Sequence, residues 1–161
     1  MDKYSWVDIG SSFLPSDILA GLLWAQMEIS HKIQARRKTL SQAYLNGLTS
    51  WAKEARVQLP FWPAHCTPSH HLFALLMPSA ADQTGLITHL KHHGINAVFH
   101  YLPLHLSERG RALGGRPGDC PVTESVALRL VRLPLYFDLS DAEQERILTA
   151  VQTYRPVAAN H

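Results

Sequence analysis

Residues 16–46 read SDILAGLLWAQMEISHKIQARRKTLSQAYLN, and this stretch decides the fold. It contains no proline, and its apolar residues recur at steps of three and four, the spacing of one face of an α-helix. Ser16 before Asp17 is a typical N-cap, and Asn46 followed by Gly47 is a typical C-terminal stop. We therefore predict one helix over residues 16–46, roughly 45 Å long at 1.5 Å per residue.

A helix of this length reaches beyond the core that a chain of 161 residues can build around it. The sequence therefore predicts a connector to another body of protein, either a further domain or a second subunit. It also predicts an apolar helix face that this chain leaves uncovered.

Downstream of the helix, short apolar runs alternate with helical patterns. Helical turns over residues 48–55 lead to a short strand at 57–59 and a proline-rich loop at 60–69. The run HLFALLM at 71–77 is apolar on both faces, which predicts a central strand.

The second half predicts a helix capped by Asp82 and stopped by Gly94, and a strand over 95–101. The glycine-rich stretch 106–121 predicts a long, mobile loop. A helix over 123–130 and a strand over 131–134 follow, and Ser140 with Glu143 form a capping box for the last helix.

The predicted fold class is α+β, with a long N-terminal helix followed by a small three- to four-stranded sheet that has helices on one face. Residues 1–56 would form the N-terminal segment and connecting helix, 57–156 the small domain, and 157–161 a frayed tail.

Composition excludes several classes of protein. The net charge of +2 does not favour a nucleic-acid partner, and no apolar run reaches the ~18 residues that span a bilayer. We also expect no signal peptide at the N-terminus. The two cysteines, Cys66 and Cys120, match no C-x-x-C pattern, so we expect a reducing compartment, the cytoplasm.

Ten histidines are many for this length and raise the alternative of a small metal-dependent hydrolase. His65, Cys66, His70 and His71 lie within seven residues, but their spacing matches no usual zinc site, and adjacent strand residues face opposite ways. We therefore predict no metal site and assign these residues to structure.

The segment His100-Tyr101-Leu102-Pro103-Leu104-His105 leaves a predicted strand and enters the glycine-rich stretch. Two imidazoles and a phenol at a strand exit can donate hydrogen bonds to an anionic or hydroxylated ligand. From spacing alone, a binding role and a structural role remain equally open. Residues 10–17, just before the helix, can hold phosphate or simply cap the helix, and the cap is favoured locally.

Four strings of sequence together resemble the DegT/DnrJ/StrS sugar aminotransferases. They are WVDIGSSFLPSD at 6–17, LWAQME at 23–28, AVFHYLPLH at 97–105 and LVRLPL at 130–135. The likeness runs from about residue 2 to 154 and corresponds to the last two-fifths of the family's length.

The resemblance implies a fold-type I enzyme that uses pyridoxal 5'-phosphate (PLP) and works as a homodimer with active sites at the subunit interface. Its reaction would move an amino group from an amino acid, glutamate, to a dTDP-4-oxo-6-deoxyhexose for a cell-surface polysaccharide. Ser12 matches a position, often Asn in the family, that reaches the cofactor phosphate. His100, Tyr101 and His105 match the motif near the nucleotide-sugar site and would position substrate.

The family's Schiff-base lysine lies upstream of the matched region. The five lysines of this chain do not occur in its Ser-x-x-Lys-Asn setting; they are Lys3, Lys32, Lys38, Lys53 and Lys91. We therefore expect no catalytic residue here, no covalently held PLP, and no activity of the chain alone. Two interpretations follow: a C-terminal fragment of the enzyme, which we favour, or a non-catalytic partner of a full-length relative.

Overall fold

The structure, a computed structural model, describes residues 6–8, 10 and 14–157. In it, the single helix predicted from the sequence is divided into two helices. Helix α1 spans Asp17–Glu28 and helix α2 spans Ser30–Glu54. The Ser16 hydroxyl accepts from the Leu19 amide at 3.4 Å, so the predicted N-cap is confirmed. Ile29 leaves the helical conformation between them, and no proline or glycine explains that break.

The predicted stop at Asn46-Gly47 is wrong, because α2 continues to Glu54. Gly47 instead allows a close helix contact: a Cβ there would lie 2.8 Å from Leu148 Cδ2. Leu148 belongs to helix α6, Asp141–Thr153, so the missing side chain brings α2 and α6 together. Gly47 therefore marks a packing contact between two helices and not a helix end.

Three antiparallel strands form the sheet in the order β1-β3-β2, with β1 at Phe73–Leu76, β2 at Val98–Phe99 and β3 at Leu130–Leu133. The run 71–77 was predicted to be central, but β1 is an edge of this sheet and β3 is the middle strand. The predicted strand at 57–59 contributes only an isolated bridge between Gln58 and Leu76. The α+β class is confirmed.

Burial alternates along the strands, which gives the sheet an inner and an outer face. Phe73 and Leu75 are fully buried on the inner face, in one core cluster with residues of α2, of α6 and of α3, Ala80–His92. Ala74 and Leu76 are half-buried on the outer face. The buried core is formed by these residues among others: Leu40, Tyr44, Leu48, Leu86, Leu90, Val131, Leu133, Ile147 and Val151.

Two polar side chains of the core form hydrogen bonds between distant parts of the chain. The Tyr44 hydroxyl donates to the Pro134 carbonyl at 2.8 Å, and burial raises the pKa of Tyr44. The Gln144 side-chain amide donates to the Leu40 carbonyl at 2.7 Å. Such bonds fix the position of α2 and α6 because an unpaired buried group is costly.

The prediction that Asp82 caps α3 is wrong. Ser79 is the N-cap, and Asp82 lies in the first turn of the helix, where it is fully buried. Its carboxylate accepts from the Ser79 hydroxyl at 2.6 Å and from the Val157 amide at 2.7 Å, so it ties the chain end to α3. Gly94, at φ +68°, ends the helix as predicted. The capping box of Ser140 and Glu143 is also confirmed.

The stretch 106–121 is not a featureless loop. A 3-10 turn at Leu104–Leu106 leads into helix α4, Glu108–Ala112, and helix α5 follows at Pro121–Ala127. Ser107 caps α4 by accepting from the Gly110 amide at 3.0 Å. The predicted strand over 95–101 is correspondingly shorter, because only Val98–Phe99 pair with β3.

Helix α1 carries an uncovered apolar surface. None of its twelve residues, all of which the structure describes, is buried. Leu22 is 58% exposed, Trp24 69% and Ile18 86%. The predicted bare helix face is therefore confirmed for α1, whereas the second half of α2 is buried in the core. In the described part of the chain, no helix has both the length and the apolar character to cross a membrane.

Candidate functional site

The outer face of the sheet brings polar side chains together at its centre. Arg132 of β3 pairs with Ala74 of β1 on one side and Val98 of β2 on the other, so all three residues point to this face. Two residues after Val98, at the exit of β2, the alternation places His100 on the same face. A charged residue thus occupies the middle of the small sheet, on the face opposite the buried core.

His100, Tyr101 and Arg132 form a cluster. The His100 and Tyr101 rings lie 5.3 Å apart, edge to face, and the Arg132 guanidinium lies 5.8 Å from the centre of the Tyr101 ring. His71, just before β1, is close enough for its charge to act on His100. The sequence prediction joined His100 with Tyr101, and the structure brings these two together with a cation that the sequence prediction omitted.

The pKa of His100 is lowered from its ordinary value, first by burial and then by the positive charges of Arg132 and His71. A neutral imidazole at this position can donate from one ring nitrogen without adding a second full charge beside the guanidinium. An anion entering the cluster would reverse that balance, because an opposite charge favours the protonated imidazole. The cluster is therefore chemically suited to an anionic ligand.

A groove of about 420 Å³ adjoins the cluster on the same face. Trp62 and His70 form one wall, with ring centroids 5.3 Å apart, and His71 links the wall to the cluster. Burial, followed by the charge of Lys38, lowers the pKa of His70. The floor and far wall are apolar and come from β1, β3 and α5: Leu72, Ala74, Leu76, Val126 and Leu130.

Sequence reasoning missed Arg132, Trp62 and the lining role of His70. Arg132 stands in LVRLPL as the one charged residue of an apolar strand, a signal that can be read from the sequence. Trp62 and His70 lie in and after a proline-rich loop with no periodic pattern, so only the fold shows that they face each other.

His105 has a different partner from His100 and Tyr101. Its Nε2 lies 2.8 Å from the Glu124 carboxylate, and both side chains are partly exposed. Glu124 also accepts from the Gly118 amide at 2.9 Å and from the Cys120 amide at 3.3 Å. The hydrogen bond from His105 is the main reason that the pKa of Glu124 is lowered. In this geometry His105 holds the glycine-rich segment to α5; its predicted contact with substrate stays a prediction.

Two glycines enclose the backbone next to His105. A Cβ on Gly110 would lie 2.0 Å from the Leu104 carbonyl oxygen, and one on Gly115 would lie 2.3 Å from the His105 carbonyl oxygen. Both contacts are to backbone, which cannot rotate away as a side chain can. The glycines that suggested a mobile loop therefore serve close packing around the motif.

The cofactor prediction falls partly outside the described residues, because Ser12 and Lys3 are among those the structure leaves undescribed. The four described lysines are Lys32, Lys38, Lys53 and Lys91, and all are exposed. A Schiff-base lysine needs a pocket that desolvates its amine. None of the four described lysines therefore lies in a site suited to hold PLP as a Schiff base.

Among the residues that the structure describes, no three His, Cys, Asp or Glu side chains lie close enough together to bind a metal ion. His89 has a structural role, with its Nε2 2.9 Å from the Ala150 carbonyl. Among the described histidines, His89 thus makes a packing contact, whereas His70, His71 and His100 lie at the outer face of the sheet.

Comparison with known proteins gives a consistent result. Residues 1–152 match the model of the DegT/DnrJ/EryC1/StrS aminotransferase family. The erythromycin biosynthesis sensory transduction protein EryC1 of Saccharopolyspora erythraea is 28% identical over 151 residues, covering 93% of this chain and 40% of that protein.

Solved structures agree in fold as well as sequence. DesV of S. venezuelae, in complex with a ketimine intermediate, superposes with a TM-score of 0.78 at 28% identity, covering 94% of this chain and 39% of DesV. The PLP form of the putative sugar aminotransferase Spr1654 from Streptococcus pneumoniae gives a TM-score of 0.73 at 27% identity, covering 86% of this chain and 35% of that one. The chain spans about two-fifths of the length of the curated relatives it matches.

Proposed function

This chain belongs to the DegT/DnrJ/EryC1/StrS aminotransferase family, and we propose that it is the small C-terminal domain of a PLP-dependent sugar-nucleotide aminotransferase. The observation that carries the proposal is the superposition of 94% of the chain on 39% of DesV, at a TM-score of 0.78. A match over 94% of the chain extends across most of its helices and its sheet, and is not limited to one motif.

The proposed reaction moves an amino group from the α-carbon of an amino acid to a ketone carbon of a sugar, and the α-carbon becomes a ketone in turn. Glutamate gives its amino group and becomes 2-oxoglutarate, while the 4-oxo carbon of a dTDP-4-oxo-6-deoxyhexose becomes a 4-amino carbon. The product that the sequence strings favour is dTDP-4-amino-4,6-dideoxygalactose, a precursor of enterobacterial common antigen and related cell-surface polysaccharides. Bound PLP supplies the electron sink for this exchange.

The outer face of the sheet is this chain's proposed contribution to that reaction. His100 and Tyr101 would orient the nucleotide sugar, and His105 would act through Glu124 by fixing the segment that carries them. The amine that holds PLP would come from a larger domain, because the described lysines are exposed. We propose on this basis that the chain alone does not turn over.

The exposed apolar surface of helix α1 is a second observation that supports the proposal. A helix with Leu22, Leu23 and Trp24 more than half exposed needs an apolar partner. We propose that this partner is the large domain or the second subunit of a homodimer, in the cytoplasm.

A chimera tests the proposal. The segment of DesV that corresponds to this chain is replaced by residues 1–161, and PLP uptake is followed by absorbance and the glutamate half-reaction by release of 2-oxoglutarate. We expect turnover by the chimera and none by the 161-residue chain or by DesV truncated before the segment. A chimera that binds PLP but never releases 2-oxoglutarate would count against the proposal, as would turnover by the chain alone.

A further inference from the structure

We propose that Glu124 is a positioning residue: its carboxylate fixes the proton of His105 on Nε2, so that the ring presents Nδ1 to the substrate as a hydrogen-bond acceptor. The part that concerns the substrate rests on the proposed function, because His105 meets a substrate only in an enzyme of that kind. The part that concerns the His105 ring rests on the structure alone. Glu124 lies in none of the four strings of sequence that resemble the family.

A single carboxylate oxygen joins three parts of the segment around His105. Oε1 of Glu124 lies 2.8 Å from His105 Nε2, and it accepts from the Gly118 amide at 2.9 Å and from the Cys120 amide at 3.3 Å. Because the three bonds share one acceptor atom, removal of the Glu124 side chain would release the ring and both amides together.

The charge of Glu124 decides which nitrogen of His105 carries the proton. The hydrogen bond from His105 is the largest cause that lowers the pKa of Glu124, and the Gly118 and Cys120 amides lower this pKa further. Glu124 is therefore ionised at neutral pH, and an ionised carboxylate can only accept. Nε2 must donate in this pair, so a neutral His105 ring has no proton on Nδ1.

Nδ1 of His105 is the ring nitrogen that remains for a ligand. It makes no hydrogen bond within the described part of the chain, and it is not among the buried, unpaired side-chain atoms there, so it is open to solvent. Close backbone packing of Gly110 and Gly115 against the Leu104 and His105 carbonyls holds the ring's own backbone in place. A ligand group that meets a neutral Nδ1 must bring a proton, so a hydroxyl or amino group fits and an unprotonated phosphate oxygen does not.

Long-range ¹H–¹⁵N correlation spectra of the 161-residue chain at about pH 8.5 report which nitrogen of His105 carries the proton, and His105→Gln identifies its signals. We expect the proton on Nε2. Glu124→Ala should give a mixture of both tautomers. It should also speed amide hydrogen exchange at Gly118 and Cys120 at least about tenfold, because each amide loses a bond to a charged group. Glu124→Gln should keep the proton on Nε2, because its carboxamide oxygen also accepts.

Glu145→Ala, at an exposed glutamate of α6, is the matched control and should change neither the tautomer nor the exchange. Thermal unfolding shows whether a variant has lost its fold, and Glu124→Gln keeps the test available if Glu124→Ala unfolds. A wild-type ring with its proton on Nδ1, or with protons on both nitrogens at that pH, would overturn the inference. So would an unchanged tautomer in Glu124→Ala, or a proton on Nδ1 in Glu124→Gln.

The DesV chimera gives the functional reading. Glu124→Ala should slow amino transfer to the sugar nucleotide at least about tenfold, and Glu124→Gln should recover most of that loss. The glutamate half-reaction does not involve the sugar and should stay within about twofold. Equal losses in both half-reactions would show a structural role only and would overturn the substrate part. An inactive chimera would count against the proposed function, whereas the spectra decide the His105 proton in either case.

Discussion

Two leucines on consecutive helices should lose very different amounts of stability on the same substitution. Leu22 on α1 is 58% exposed, whereas Leu48 on α2 is fully buried in the core. Leu48→Ala leaves a cavity and should lower the free energy of unfolding by roughly 2–5 kcal/mol. Leu22→Ala removes little packing, and alanine is as good a helix former as leucine, so it should cost less than about 0.5 kcal/mol.

Urea unfolding followed by far-UV circular dichroism, at low micromolar concentration, measures both. With a slope of about 2 kcal/mol per molar urea, the Leu48→Ala midpoint should fall by roughly 1–2.5 M while that of Leu22→Ala stays within about 0.25 M. Ile147→Val, also in the core, should cost roughly 0.5–1.5 kcal/mol and keeps the comparison available if Leu48→Ala does not fold. An equal loss for Leu22→Ala would refute an uncovered α1.

Three further predictions concern the core, the motif segment and pH. Tyr44→Phe keeps the ring contact with Phe73 but leaves the Pro134 carbonyl unpaired, and should lower the free energy of unfolding by roughly 1–2 kcal/mol in the same urea assay; no loss would argue against that hydrogen bond. Gly110→Ala forces a Cβ against the Leu104 carbonyl and should cost roughly 1–3 kcal/mol, and a neutral result would show that the segment is not closely packed. His100 has a lowered pKa in the folded chain, so between its ordinary value near 6.5 and the lowered one the unfolded chain binds the proton more readily. Stability should therefore fall as pH drops from 7.5 to 5.5, and less so in His100→Gln; an equal fall in that variant would contradict the assigned shift.

The local signals that sequence reasoning used correctly are those with a short-range physical cause. Ser16 and the Ser140–Glu143 box act within one helical turn, so their caps follow from the residues alone. Gly94 ends α3 because its backbone adopts positive φ. The apolar alternation of strands and helices similarly predicted the α+β class.

Errors arose where a residue's meaning depends on a distant neighbour. Gly47 and Gly110 looked like breakers, yet each is small because another part of the chain lies against it. The run 71–77 is apolar on both faces because its inner side packs in the core and its outer side lines the apolar groove. An edge strand with two apolar faces resembles a central strand.

Half of the candidate site could be anticipated. His100 and Tyr101 are adjacent in sequence and share a strand exit, so a pattern reveals them. Arg132 and Trp62 join them only through strand pairing and loop closure, which span 30 or more residues and leave no local trace.

The central claim is that this chain supplies a substrate-facing domain and that the amine holding PLP lies elsewhere. Incubating the 161-residue chain with PLP, reducing it with borohydride and locating the pyridoxyl group by mass spectrometry tests this most directly. We predict weak, substoichiometric labelling spread over the lysines. Labelling of one lysine to near one equivalent, with only trace labelling of the other lysines, would contradict the account.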